Sequence, residues 1–136
     1  YEHTYIGYNY RMSNISAGIG RGQMDVLPQR IVQRRENHLR YKRLFAGQAH
    51  FTLHQEPNSD FFSNHWLSIV TVSENSRISA DEIRKMAQKQ NIETRPIWKP
   101  MHLQPVFQDA PYFGGSFAEE CFNNGLCLPS GSNLTD

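Results

Sequence analysis

The chain has 136 residues, enough for one ordinary domain, with 14 basic and 13 acidic side chains and 6 histidines. A net charge of +1 gives no electrostatic basis for a dedicated nucleic-acid or anionic-membrane binder. No run approaches the ~18 apolar residues of a membrane span and no basic-then-apolar leader opens the chain, so the expectation is a soluble, cytoplasmic protein.

Residues 1–12 carry Tyr1, His3, Tyr5, Tyr8 and Tyr10 with no helical period, and read as a loop or extended segment. Ser13 suits a helix N-cap, because its hydroxyl can accept a bond from an otherwise unpaired N–H of the first turn. From Asn14 to about residue 46, Ile15, Ile19, Met24, Leu27, Ile31, His38, Leu39, Tyr41, Leu44 and Phe45 recur at spacings near three and four. That period predicts a long helix, and Pro28 predicts a kink or break near Leu27. Gly18, Gly20 and Gly22 each weaken the first half by about 1 kcal/mol relative to Ala. Their presence implies close approach of another backbone, from this subunit or a partner. The basic run Arg30, Arg34, Arg35, Arg40, Lys42 and Arg43 reads as the solvated face of the second half.

After Gly47 the chain reads as polar and irregular to about Asn64, and His65 to Val72 reads as a strand rich in β-branched residues. Ser79-Ala80-Asp81-Glu82 is a capping box, with Ile78 and Ile83 as a hydrophobic staple, and predicts a helix over about 80–90 that stops at Asn91. Ile92 to Trp98 reads as a second strand, cut off by Pro100. A second capping box, Ser116-Phe117-Ala118-Glu119, opens a short helix that Gly125 ends, before a short buried strand at Leu126-Cys127-Leu128. The fold class is α/β: a long kinked N-terminal helix, then a small sheet of about three strands with helices packed on it. The whole of 1–136 forms a single domain, divided into a loop at 1–13, the kinked helix at 14–46 and an α/β unit at 65–131.

No complete catalytic constellation is visible. The six histidines are scattered singly, so no metal site is expected, and Gly18-x-Gly20-x-Gly22 falls inside a helix, where it is a poor phosphate cradle. Cys121 and Cys127 could span a bridge, although buried reduced thiols are the preferred reading. A cysteine nucleophile is poorly supported, since both flank a helix C-terminus, whose dipole raises a thiol pKa. Two places carry chemistry. Asn9 and Arg11 precede the helix start, where amide and guanidinium donors reach an anion beside free backbone N–H groups; the alternative is a loop that simply faces water. In Trp98-Lys99-Pro100-Met101-His102 a Trp, a cation and a His are stiffened by Pro96 and Pro100, which suits a pocket wall as well as a Trp packed on a core edge.

Three stretches carry a resemblance: Gly7-Tyr8-Asn9-Tyr10-Arg11, running on through Met12-Ser13; Arg95-Pro96-Ile97-Trp98-Lys99-Pro100-Met101-His102; and Gly125-Leu126-Cys127-Leu128-Pro129-Ser130-Gly131. Together they resemble the C-terminal third of DegT-like nucleotide-sugar aminotransferases, from Gly7 through Thr135. The resemblance implies a small C-terminal domain of the aspartate-aminotransferase-like, fold type I architecture, in a homodimeric pyridoxal-phosphate enzyme with active sites at the subunit boundary. It implies that the lysine holding the cofactor covalently, and the acid pairing with its pyridine nitrogen, precede this segment. No catalytic residue is therefore assigned here, and the segment alone is expected to be inactive with no cofactor bound. The same resemblance implies that Asn9 reaches the partner subunit's cofactor phosphate with Arg11 nearby, and that Lys99, Met101 and His102 line the sugar-nucleotide side of the pocket. The implied reaction is amination of a keto sugar nucleotide, closest to a UDP-linked 4-keto-6-deoxy-N-acetylhexosamine, with glutamate as donor, for glycan or glycoprotein sugar synthesis. Against it stand a non-catalytic α/β interaction module that grips a partner with the aromatic N-terminal segment, and, more remotely, an RNA binder using the basic helix.

Overall fold

The computed structural model describes residues 2–134; Tyr1, Thr135 and Asp136, the ends of the stretch read above, lie outside the described residues. Residues 2–12 are an extended arm, followed by α1 (Asn14–Met24) and α2 (Leu27–Leu44). The Ser13 side chain accepts from the Ser16 N–H at 3.2 Å, as an N-cap does, and Pro28 sits in the first turn of α2, where its missing N–H costs nothing. The break expected at Pro28 falls at residues 25–26. None of the residues of α1 is buried. A β-carbon at Gly18, Gly20 or Gly22 would meet nothing within 4 Å beyond the helix's own backbone, so among the described residues no other segment approaches them.

Beyond α2 come β1 (Phe51–Leu53), β2 (Ser68–Val72), α3 (Ala80–Lys89), β3 (Arg95–Pro96), 3-10 turns at Met101–Leu103 and Pro105–Phe107, α4 (Phe117–Asn124) and β4 (Gly125–Leu128). The strands make one antiparallel sheet in the order β1-β2-β4-β3, with Val70 opposite both Leu53 and Leu126. Three strands were expected at about these places. The fourth, β1, lies in the stretch read as irregular; three residues are too few for an alternation to declare itself. The expected strand from Ile92 to Trp98 contracts to Arg95–Pro96, because Pro96 has no N–H to continue a ladder.

The core is small: Val70, Val72, Ala80 and Leu126 are buried together, with Phe45, Phe51, Ile83 and Leu128 packed against them. The α3 capping box forms as read, the Ser79 hydroxyl taking the Glu82 N–H and Glu82 taking the Ser79 N–H. The helix ends at Asn91, which has a positive φ of 58°, and the Ile92 N–H returns to the Ala87 carbonyl at 2.9 Å. At α4 the start is as expected but the box is not made. Ser116 donates to Glu120, and Glu119 is drawn to His102 instead.

The basic run of α2 is not simply a solvated face. Arg34 donates to the carbonyls of Trp66 and Ser130, and Arg35 donates to Glu56 at 2.7 Å and to the Ser63 carbonyl. Asn37 donates to the Gly131 carbonyl at 2.9 Å and Tyr41 to the Pro129 carbonyl at 2.8 Å. The helix therefore docks on the sheet through polar side chains, while Leu39 and Leu44 of the expected apolar stripe stay exposed.

Candidate functional site

The chain leaves β3 into the Ile97–Gln104 loop and tightens into a single 3-10 turn. There the Leu103 N–H donates to the Pro100 carbonyl and the Gln104 N–H to the Met101 carbonyl, both at 3.0 Å. Buried Gln104 ties this loop to the N-terminal arm. Its Oε1 accepts from the His3 N–H at 3.0 Å, and the Val106 N–H donates to the His3 carbonyl at 3.1 Å. On the sheet side of the loop lies an open cleft of about 880 Å³, whose walls include Trp66, Trp98, Lys99, Met101, Cys127 and Pro129. That size and its mainly apolar lining suit a small organic ligand.

Lys99 Nζ sits 2.8 Å from Glu2 Oε1, with the lysine side chain largely covered and the glutamate largely open. The hydrogen bond from Lys99 holds the Glu2 carboxyl below its ordinary pKa. Met101 is exposed at the cleft. His102 is not among the cleft's lining residues. Its Nε2 lies 2.8 Å from Glu119 Oε1 on α4, and its ring stacks on Tyr112 with centroids 3.8 Å apart. It anchors the loop from behind. Trp66 and Trp98 meet at the cleft with ring centroids 5.5 Å apart and planes 34° apart.

Asn9 and Arg11 lie on the exposed arm, and neither lines the cleft. Asn9 Oδ1 accepts from the Arg11 N–H at 3.2 Å, and Arg11 holds a positive φ of 72°. Both residues precede α1, and the Asn9 NH₂ and the Arg11 guanidinium are hydrogen-bond donors.

Of the four lysines, Lys85 pairs with Asp81 at 2.7 Å and Lys99 with Glu2 at 2.8 Å, and Lys42 and Lys89 lie on exposed helix surface. Burial raises both cysteine thiols, and both are free. Among the described residues no group of three or more His, Cys, Asp or Glu is placed to hold a metal ion, and no helix is long and apolar enough to cross a membrane. Sequence reasoning missed Trp66, Gln104, Glu119 and Glu2. Trp66 falls within the strand expected from His65 to Val72, whereas β2 begins at Ser68. The other three owe their roles to partners 17 to 101 residues away.

This fold is similar to part of solved sugar aminotransferases. Helicobacter pylori PseC, an aminotransferase involved in the biosynthesis of pseudoaminic acid, superposes with a TM-score of 0.77 at 25% identity, over 99% of this chain and 36% of that one. The chain belongs to the DegT/DnrJ/EryC1/StrS aminotransferase family, which matches residues 1–136. It is 41% identical over its full length to 35% of EpsN of Bacillus subtilis, described as a pyridoxal phosphate-dependent aminotransferase. It is 34% identical, again over its full length, to 36% of the GDP-perosamine synthase of Escherichia coli O157:H7. The chain thus spans about a third of the length of the curated relatives it matches.

Proposed function

We propose that the chain is the C-terminal part of a pyridoxal-phosphate aminotransferase that aminates a keto sugar carried on a nucleotide. A UDP-linked 4-keto-6-deoxy-N-acetylhexosamine is the substrate and glutamate the amino donor. The observation that carries this reading is the family match, unbroken from residue 1 to 136, joined to 41% identity with one pyridoxal-phosphate-dependent relative. When bound, the cofactor supplies the electron sink for amino transfer, and the protein supplies binding, orientation and electrostatics.

Within that enzyme this segment has two tasks. Asn9 and Arg11 donate to the cofactor phosphate of the partner subunit in a homodimer, which suits donors on an extended arm remote from their own chain's cleft. Lys99 and Met101 face the sugar nucleotide, and His102, held by Glu119, keeps their loop in place. The exposed tyrosines of the arm and Ile15, Ile19 and Met24 of α1 pack against the rest of the enzyme and its partner. The glycines of α1 allow close approach there.

The test is amination by the full-length protein. Loaded with cofactor and given glutamate and UDP-4-keto-6-deoxy-N-acetylglucosamine, it should convert the keto sugar to an amino sugar, detected by mass spectrometry. Failure with this substrate and with GDP-linked and dTDP-linked 4-keto-6-deoxy sugars would refute the reading. The isolated 136-residue segment should form no borohydride-reducible adduct with pyridoxal phosphate at any single lysine.

A further inference from the structure

We infer that Gln104 is a positioning residue. It clasps the N-terminal arm to the Ile97–Gln104 loop, so that the placement of Asn9 on the arm and of Lys99 on the loop depend on each other. The inference rests on the aminotransferase reading and adds that each of this chain's two tasks is felt at the other.

The local sequence prepares the clasp. Pro105 pushes the residue before it towards extended backbone, and Gln104 holds φ −73° and ψ 134°. Pro105 has no N–H of its own, so Val106 supplies the next backbone donor along the chain. Both backbone groups of His3 are met there. Its N–H donates to Gln104 Oε1 at 3.0 Å, and its carbonyl accepts from the Val106 N–H at 3.1 Å. The Gln104 amide thus stands where a second strand's carbonyl would stand in a two-bond bridge. Its other end, Nε2, donates to the Lys99 carbonyl at 3.5 Å, across the loop itself.

Gln104 is only 4% exposed. An amide oxygen buried to this degree is costly without a donor, and the His3 N–H supplies one. His3 is itself exposed, and the clasp reads its backbone and not its imidazole. The neighbouring Lys99–Glu2 pair has an open carboxylate and adds less, as exposed ion pairs do. Asn9 stands six residues beyond His3 and four before Ser13, the cap of α1. The clasp therefore anchors the arm on the side of Asn9 away from α1. It removes backbone freedom that would otherwise be lost when Asn9 meets its ligand.

The full-length protein is compared with His3→Pro, which deletes the arm's donor at an exposed position, and with Gln104→Leu, which deletes the acceptor. His3→Ala, which keeps the N–H, is the control. The Val106 amide should exchange with deuterium roughly fivefold faster in the first two variants and at the wild-type rate in the control. In equilibrium dialysis, pyridoxal phosphate should bind the His3→Pro and Gln104→Leu homodimers roughly fivefold more weakly, and the control as it binds the wild type. A mixed dimer in which one subunit lacks the cofactor lysine separates this from a general loosening. His3→Pro in the lysine-deficient subunit should raise the cofactor requirement for amination and leave the KM for the keto sugar nucleotide unchanged. The same substitution in the lysine-bearing subunit should raise that KM and leave the cofactor requirement unchanged. Gln104→Leu, if it folds, should follow the same split. Wild-type Val106 exchange in His3→Pro, undiminished cofactor affinity in it, or KM and cofactor requirement moving together from either placement would each overturn the coupling. With amination by the wild type sustained, such a result would leave the aminotransferase reading standing. Absence of amination by the wild type would remove that reading and the coupling with it.

Discussion

The carbonyls of Pro129, Ser130 and Gly131 each accept from a different side chain of α2: Tyr41, Arg34 and Asn37. Ser130 also turns its hydroxyl to the Ser68 N–H at 2.8 Å, stitching the start of β2 to the end of β4. Arg34, Asn37 and Tyr41 stand three and four residues apart, on one helix face. The Gly125–Gly131 motif is thus a docking strip for a helix, and Gly125 is needed because a β-carbon there would run into the Cys121 carbonyl and Ile97. Tyr41→Phe should lose about 1 kcal/mol, the usual net worth of such a bond. In hydrogen–deuterium exchange of the full-length protein, amides of α2 and β4 should then exchange roughly fivefold faster. Unchanged protection would mean that the Tyr41 bond holds nothing. The motif was legible in the sequence as a resemblance. Its physical role was not, because its donors lie 88 to 96 residues upstream and share no local pattern with it.

Among the secondary-structure elements, those announced by local chemistry were readable. Ser13 and Ser79 cap as their hydroxyls suggest, Pro28 marks the α1–α2 break, and Asn91 and Gly125 end their helices. The Ser116 box failed because Glu119 found a better partner in His102, and long-range contacts are invisible to a four-residue motif. Ser79→Ala should therefore weaken α3 by about 1 kcal/mol, seen as faster exchange of its first-turn amides. Ser116→Ala should have a smaller effect at α4, since Ser116 caps no backbone N–H. Equal effects at the two sites would contradict the structure. The α2 face was misjudged for a related reason. Period identifies a helix, but the partner surface decides which face is buried, and here that surface is a row of carbonyls.

Across the whole molecule the buried junction between α2 and the sheet is acid-sensitive. His38 is almost fully buried, its ring stacked on His65 at 3.7 Å and its Nδ1 3.1 Å from Ser68 Oγ. Burial first, then the neighbouring His65, lowers its pKa from 6.5 to about 4, and burial lowers His65 as well. Of the charged groups around it, Lys42 and Arg35 act in the same direction and Glu56 against it. A histidine kept neutral by the fold is protonated first in the unfolded chain. Its contribution is therefore full above about pH 6.5 and is lost as the pH falls towards about 4, a change of up to about 3 kcal/mol. Glu56, held down to about 2 chiefly by its hydrogen bond from Arg35, adds a further loss only below about pH 4.5. Urea midpoints followed by tryptophan fluorescence should fall between pH 7 and 4.5, and His38→Phe should flatten that fall. A midpoint independent of pH over this range would refute the assignment.

The central proposal is that this segment serves two places, the sugar-nucleotide side of the pocket and the partner subunit's cofactor phosphate. An Asn9→Ala homodimer should bind cofactor roughly five- to hundredfold more weakly, from losing one hydrogen bond to a charged group. The direct measurement is the cofactor dependence of amination by a mixed dimer, one subunit carrying Asn9→Ala and the other lacking the lysine that holds the cofactor. Its single lysine-bearing site is served by the intact Asn9 of the lysine-deficient subunit, so half-saturation should come at the wild-type cofactor concentration. A requirement as high as that of the Asn9→Ala homodimer would contradict the account.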